Sequence, residues 1–349
     1  MAQTFHIKAG ATALAHIREH GLSPADISVM PAAAGGPKWI SLYGLDKYLM
    51  EEWFSEPDQL LHLIGASAGA WRMLCYCLPD PLAALDRYLK YYVEQSYPVW
   101  PGPAEVSGEL RHIIEQIVGD CHYSDIESAI NKKLYVINSR SRFHHRGGNL
   151  LKLKLLQSGL ANLISRKSLF KYFDRVVYHS QSNLSSVIND DTYGIECQEM
   201  NQDVFLSSLQ ATGSIPALCY PVVMQDGLNY WDGGITDYHV AFEYDVSGLI
   251  LYPHFSASIK PGWFDKHLPK RVASRHVTDR MIMIYPSQRF IDALPDQKIP
   301  DRKDFEAYFQ KDDQRIKNWY QVAQSSEELA AEFKVLYESG NLMSHIESF

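Results

Sequence analysis

An α/β fold with a mostly parallel central sheet is predicted for this chain by three observations. Short apolar runs alternate with stretches of helical periodicity. Several of those runs are apolar throughout, as strands buried on both faces are. No internal repeat, low-complexity tract or linker interrupts roughly the first 250 residues.

The strands are expected at Ile27–Met30, Leu60–Ile64, Leu134–Ile137, Arg175–His179, Gly248–Tyr252 and Met281–Tyr285. Helical periodicity covers Ser67–Cys77, Leu82–Glu94, Glu105–Val118, Leu150–Ile164 and Val204–Thr212. Ser124-Asp125-Ile126-Glu127 reads as a capping box opening a further short helix. From Asp301 onward the chain is rich in Asp, Glu, Lys, Gln and Tyr, and predicts one or two amphipathic helices covering the sheet, with no catalytic role. The organisation expected is one domain over residues 1–300, with a C-terminal helical extension over 301–349 packed on it.

Composition narrows the function. With 349 residues, 46% hydrophobic and 21% charged, the chain has ample material for a large core. A net charge of −8 offers no basic footprint for nucleic acid. Met1–Gly10 carries His6 and Lys8 without an apolar leader segment, and no run approaches the ~18 apolar residues of a membrane span, so the cytoplasm is the expected location. The five cysteines are odd in number and lack metal or redox spacing, which predicts buried reduced thiols and no metal or organic cofactor. The sequence assigns no oligomeric state.

Chemistry concentrates first at Gly65-Ala66-Ser67-Ala68-Gly69. A serine with glycine two residues before and after it, between an apolar run and a helix, has the form of a nucleophile elbow. The sharp turn presses backbones together, and glycine avoids the clash. A serine hydroxyl needs a base and donors for an oxyanion. Gly35-Gly36 after the first strand can aim two N–H groups at one point, although taken alone Gly-Gly-Pro reads as an ordinary turn. Asp232, just before Gly233-Gly234, is one candidate base, and those glycines are expected to turn the chain with φ above zero. The rival is a histidine, with His144, His145, His239, His254, His267 and His276 among fourteen.

Four segments in order, Ala34-Gly35-Gly36-Pro37-Lys38, the Ser67 elbow, Ala211–Ala217 and Asp232-Gly233-Gly234, make the chain resemble the patatin-like phospholipase family. The resemblance runs from about Ile27 to Thr236. It implies a three-layer α/β/α sandwich with a mostly parallel central sheet, and hydrolysis of lipid acyl esters without metal or cofactor. It further implies Ser67 as nucleophile, Asp232 as its base in a dyad, Gly35 and Gly36 as oxyanion donors, and Lys38 in the family's basic position. Departures surround these motifs. Ala34 and Trp39 replace the loop's outer glycines, with Trp39 expected to crowd the turn. Ala70-Trp71-Arg72 opens the helix after the elbow, and Ile235–Val240 follows Asp-Gly-Gly.

The expected partner is a lipid or other acyl ester, with transient membrane contact and no nucleic acid. Tyr91-Tyr92, Tyr97–Pro101 and Phe255–Trp263 are candidates for a lid or interfacial patch, against plain core packing. Arg140–Arg146 and Lys266–Arg275 are read as solvated basic faces, with a phosphate head group as their other use. The competing functions are an esterase with a Ser-His-Asp triad and a lipid-binding pseudoenzyme on the same fold.

Overall fold

Continuous apolar segments form the middle of the sheet because they are covered from both sides. The computed structural model describes residues 3–55, 60–180, 187–189 and 193–349. Met1 and Ala2, the start of the leader reading, lie outside them. The chain begins with β1 (Phe5–Ala9) and α1 (Ala11–His20), then β2 (Ile27–Ala32), α2 (Tyr43–Tyr48) and β3 (Leu61–Ala66). Helices α3 (Ala68–Cys77), α4 (Pro81–Val93), α5 (Pro103–Val118) and α6 (Tyr123–Glu127) lead to β4 (Lys132–Ser141). Next come α7 (Gly148–Ile164), α8 (Arg166–Leu169) and β5 (Phe173–His179), followed by β6 (Ile188–Asn189), β7 (Glu196–Glu199) and α9 (Gln202–Gly213). After β8 (Val222–Val223), β9 (Asn229–Asp232) and β10 (Glu243–Tyr244), the chain adds β11 (Leu249–Pro253), α10 (Arg275–Thr278), β12 (Met281–Pro286) and α11 (Gln288–Ala293). It closes with α12 (Lys303–Ala307), α13 (Asp312–Ser325), α14 (Glu327–Glu338) and β13 (Ile346–Ser348).

Among the described residues the main sheet runs β13-β1-β12-β11-β2-β3-β4-β5-β7, with β9 pairing β4 and β8 pairing β9. The five strands from β12 to β4 are mutually parallel. Residues of β3, β11 and β12 are all buried, which matches their apolar composition. One face, including Leu63, Val136, Leu251 and Ile284, packs on the helical layer of α1 to α5, α13 and α14. The other, including Ile64, Ile137, Tyr252 and Met283, meets Tyr238, Phe242 and Phe255 from mostly irregular segments. Helix α7 and α8 close this second layer around Leu151, Leu169 and Phe173. The result is a three-layer arrangement with a mostly parallel centre.

Several expectations need correction. Strand β5 is antiparallel to β4, so its apolar run reflects two-sided cover and not a parallel register. The C-terminal segment forms three helices and a strand, and β13 pairs in parallel with β1 at the sheet edge. The capping box lies two residues earlier than its sequence form: His122 precedes α6, and its N–H donates to Asp125 Oδ2 at 2.7 Å. Of the cysteines, Cys75, Cys77 and Cys219 are buried and free, whereas Cys121 and Cys197 are only partly buried. Among the described residues, no helix is long and apolar enough to cross a membrane.

Candidate active site

Ser67 occupies the one-residue turn between β3 and α3, with φ 54° and ψ −134°. A non-glycine residue there stores on the order of 1–3 kcal/mol, held by the structure around it. The glycines on either side allow the turn to close. A Cβ on Gly65 would lie 2.5 Å from the Ala70 backbone, and one on Gly69 would lie 2.4 Å from Ala32 O. Ser67 N–H donates to Thr212 Oγ1 at 2.8 Å, and Thr212 Oγ1 donates to Ile137 O at 2.5 Å. The serine amide is therefore occupied, while its Oγ donates to Asp232 Oδ2 at 2.7 Å across 165 positions of sequence.

Asp232 ends β9, which pairs antiparallel with β4 and sets Asp232 opposite Asn138. Its N–H donates to Ser214 O at 2.9 Å, and its Oδ1 accepts the Gly234 N–H at 2.7 Å. Both Ser67 and Asp232 are buried. Burial pushes the Asp232 carboxyl above the usual carboxylate range, while the Ser67 hydroxyl, the Gly234 N–H, Arg302 and Lys266 pull it back. Gly233 and Gly234 do not adopt positive φ, contrary to the sequence reading. They are needed for close approach: a Cβ on Gly233 would lie 2.1 Å from Ile137 O, and one on Gly234 would lie 2.8 Å from Ala34 Cβ.

The Gly35-Gly36 loop follows β2, and its path is fixed where Ala34 N–H donates to Tyr238 O at 2.8 Å. Gly36, with φ 57°, opens a 3₁₀ turn over Gly36–Leu42, so the N–H groups of the pair belong to the donors that a helix start leaves without partners inside it. The Lys38 ammonium lies over the Phe255 ring at 5.6 Å, and burial lowers its pKa. Trp39 does not crowd the turn. It is buried on the opposite side, stacked on Tyr88 with ring centroids 3.9 Å apart. Trp71 also finds a place: its Nε1 donates to Leu209 O at 2.9 Å, and its ring packs where any Cβ on Gly213 would lie 2.6 Å away.

Two cavities meet at Gly36. One, of about 300 Å³, reaches Ser67 and is walled by Trp71, Tyr97, Trp100, Leu110, Ile215 and Phe305. The other, of about 600 Å³, reaches Asp232 and is lined by Lys38, Lys266, Arg302 and Lys303, with Trp263 and Tyr238. Lys266 and Arg302 were not singled out as site residues by the sequence. Lys266 sits in a stretch read as a solvated face, yet its ammonium lies 4.0 Å from the Tyr238 ring centroid inside the second cavity. Arg302 comes from the segment expected to have no part in the site, and its Nη1 is buried without a hydrogen-bond partner. Thr212 was visible only as a small residue in Ala211–Ala217; a hydroxyl amid alanine and glycine was the available signal.

The other candidates lie elsewhere or serve the core. His239 and His254 are buried side by side with centroids 4.4 Å apart, and each ring Nδ1 accepts a backbone N–H, from Lys260 and Ser256 respectively. Ser67 Oγ has Asp232, and no histidine, as its partner among the described residues. Tyr92 is buried against Trp39 and Trp71, whereas Tyr97 and Trp100 wall the first cavity. Arg140 is held by Asp174 and Glu196, so it is not a free basic face. No group of three His, Cys, Asp or Glu side chains suited to a metal occurs among the described residues.

Comparison with known proteins places the family described as patatin-like phospholipase over residues 35–241, more than half of the chain. That span contains Gly35, Gly36, Ser67 and Asp232 and ends before Lys266 and Arg302. The crystal structure of VipD from Legionella pneumophila aligns over 93% of this chain and 70% of that one, at 14% identity and a TM-score of 0.34. No curated protein matches the sequence.

Proposed function

The chain belongs to the patatin-like phospholipase family, and from that premise we propose that it is a serine acyl-ester hydrolase acting on lipids through a Ser67–Asp232 dyad. The observation that carries this reading is the 2.7 Å hydrogen bond from Ser67 Oγ to Asp232 Oδ2. Asp232 takes the serine proton as Oγ attacks the acyl carbonyl, and the Gly35 and Gly36 N–H groups receive the oxyanion. The protonated carboxyl then returns its proton to the leaving alcohol, and water repeats the sequence to free the acid. Burial of Asp232 supports the role, because a carboxyl of raised pKa is a stronger base than one in water. Loss of one oxyanion donor costs about 3 kcal/mol in comparable sites, so the glycine pair carries a large share of the rate.

The two cavities suggest how a lipid lies. The apolar chamber beside Ser67 takes the acyl chain, and the chamber lined by Lys38, Lys266 and Arg302 takes the leaving portion with its negative charge. The test is turnover of a short-chain p-nitrophenyl ester and fatty-acid release from phospholipid. Both are expected from the wild type and from neither Ser67→Ala nor Asp232→Asn; near-wild-type turnover by both variants overturns the dyad.

A pH experiment probes the second chamber. Burial, Arg302 and Lys38 push the Lys266 ammonium down to about 7, so its charge is present below that pH and lost as pH rises through it. The KM for lysophosphatidylglycerol is expected to rise across about pH 7, while that for neutral p-nitrophenyl butyrate stays flat. Lys266→Met should abolish the difference; parallel KM profiles for the two wild-type substrates would contradict the assignment.

A further inference from the structure

Helix α7 is inverted relative to an ordinary surface helix. It turns Ser158 and Asn162 inward, fully buried, and presents Leu150, Leu153, Leu156, Leu160, Leu163 and Ile164 to solvent, with exposures from 48% at Leu153 to 85% at Ile164. At 3.6 residues per turn these six side chains span an arc of about 140°, directly opposite the buried residues. Polar contacts fix this orientation: Asn162 Nδ2 donates to Asp265 Oδ1 at 2.6 Å, and Arg271 Nη1 donates to Asn162 O at 2.5 Å. Leu151 supplies the inner apolar anchor, against Phe143, Leu169 and Phe173. The leucines are thus held outward by the fold.

We propose that α7 is a membrane-docking helix that seats this leucine face in the surface of an anionic lipid bilayer. Charge selects that partner. The chain carries a net charge of −8, yet residues 141–173 contain no Asp or Glu and seven Lys or Arg. Of these, Arg146, Lys152, Lys154, Lys167 and Lys171 make no ion pair among the described residues. On the helical wheel Lys152 and Lys154 flank the leucine arc on its two sides, where their stems can lie along acyl chains while the ammonium groups reach head groups. A second copy of this chain docked face to face would bring like charges together, whereas anionic lipid neutralises them. The face also adjoins the site. Leu155 lines the cavity that reaches Asp232, together with Trp263, an aromatic 42% exposed beside it. A bilayer under α7 therefore lies at the mouth through which a lipid enters.

Docking requires no chemistry at Ser67, so it is tested apart from the hydrolase reading. In flotation assays the full chain is expected to rise with phosphatidylcholine vesicles containing phosphatidylglycerol, and far less with phosphatidylcholine alone or at high salt. Leu153→Gln, Leu156→Gln, Leu160→Gln and Leu163→Gln combined should lower partitioning at least about tenfold, with p-nitrophenyl butyrate turnover and thermal unfolding unchanged. Lys152→Glu with Lys154→Glu, a milder surface change, should remove the preference for phosphatidylglycerol. The proposal is overturned if the wild type does not float, if both variants float as it does, or if the leucine variant merely converts a dimer to a monomer with vesicle binding intact. Loss of ester hydrolysis with flotation retained would instead sink the hydrolase reading and leave the docking face standing.

Discussion

Asp232→Asn is expected to lower kcat by about 10² to 10⁴ with little change in KM or in thermal stability. The substitution preserves the size of the side chain, and the Gly234 N–H, 2.7 Å from Oδ1, selects the orientation of the new amide. Its oxygen faces Gly234, so its NH₂ group faces Ser67 Oγ, where Oδ2 now accepts at 2.7 Å. A donor then stands where an acceptor is needed, and the hydroxyl cannot surrender its proton. Because Ser67 and Asp232 act as one unit, Ser67→Ala should cost as much alone as in combination with Asp232→Asn. Steady-state kinetics on p-nitrophenyl butyrate decide it; additive losses, or an Asp232→Asn enzyme near full activity, would remove Asp232 from the proton transfer.

Asp46→Ala is expected to destabilise the fold by about 3–5 kcal/mol. Arg72, on α3 just beyond the elbow, is 1% exposed, and its Nε lies 2.7 Å from Asp46 Oδ2. Arg72 Nη2 and Tyr76 OH both donate to Asp46 Oδ1, at 3.0 and 2.9 Å. Removing the carboxylate strands a guanidinium in the core with no water to solvate it. Because α3 carries Ser67 at its start, esterase activity should fall together with the unfolding temperature. The double variant Asp46→Leu with Arg72→Met removes both charges and should recover most of the stability. Thermal unfolding checks both; a melting temperature unmoved in Asp46→Ala would show that the pair is not holding α3 against α2.

The parallel core was legible because strands buried on both faces have only apolar residues to show, as in Leu61–Ala66 and Met281–Pro286. β1 escaped notice because it alternates, with His6 and Lys8 between Phe5, Ile7 and Ala9, as befits a strand near an edge. β9 is four residues long and carries no run at all, although it delivers Asp232. Ser67 and Asp232 could be read because steric demands around them leave a glycine signature on either side. Lys266 and Arg302 leave none: what matters in them is a cavity assembled from distant segments. The direction in which α7 faces was equally hidden, since Leu151 turns inward and Leu150 outward from adjacent positions.

The central claim is that Ser67 is an activated nucleophile, and labelling with a fluorophosphonate followed by peptide mapping tests it most directly. The wild type should carry the adduct on Ser67, Asp232→Asn should react far more slowly, and Ser67→Ala should not react. Ester hydrolysis by a wild-type protein whose Ser67 remains unmodified would contradict the account.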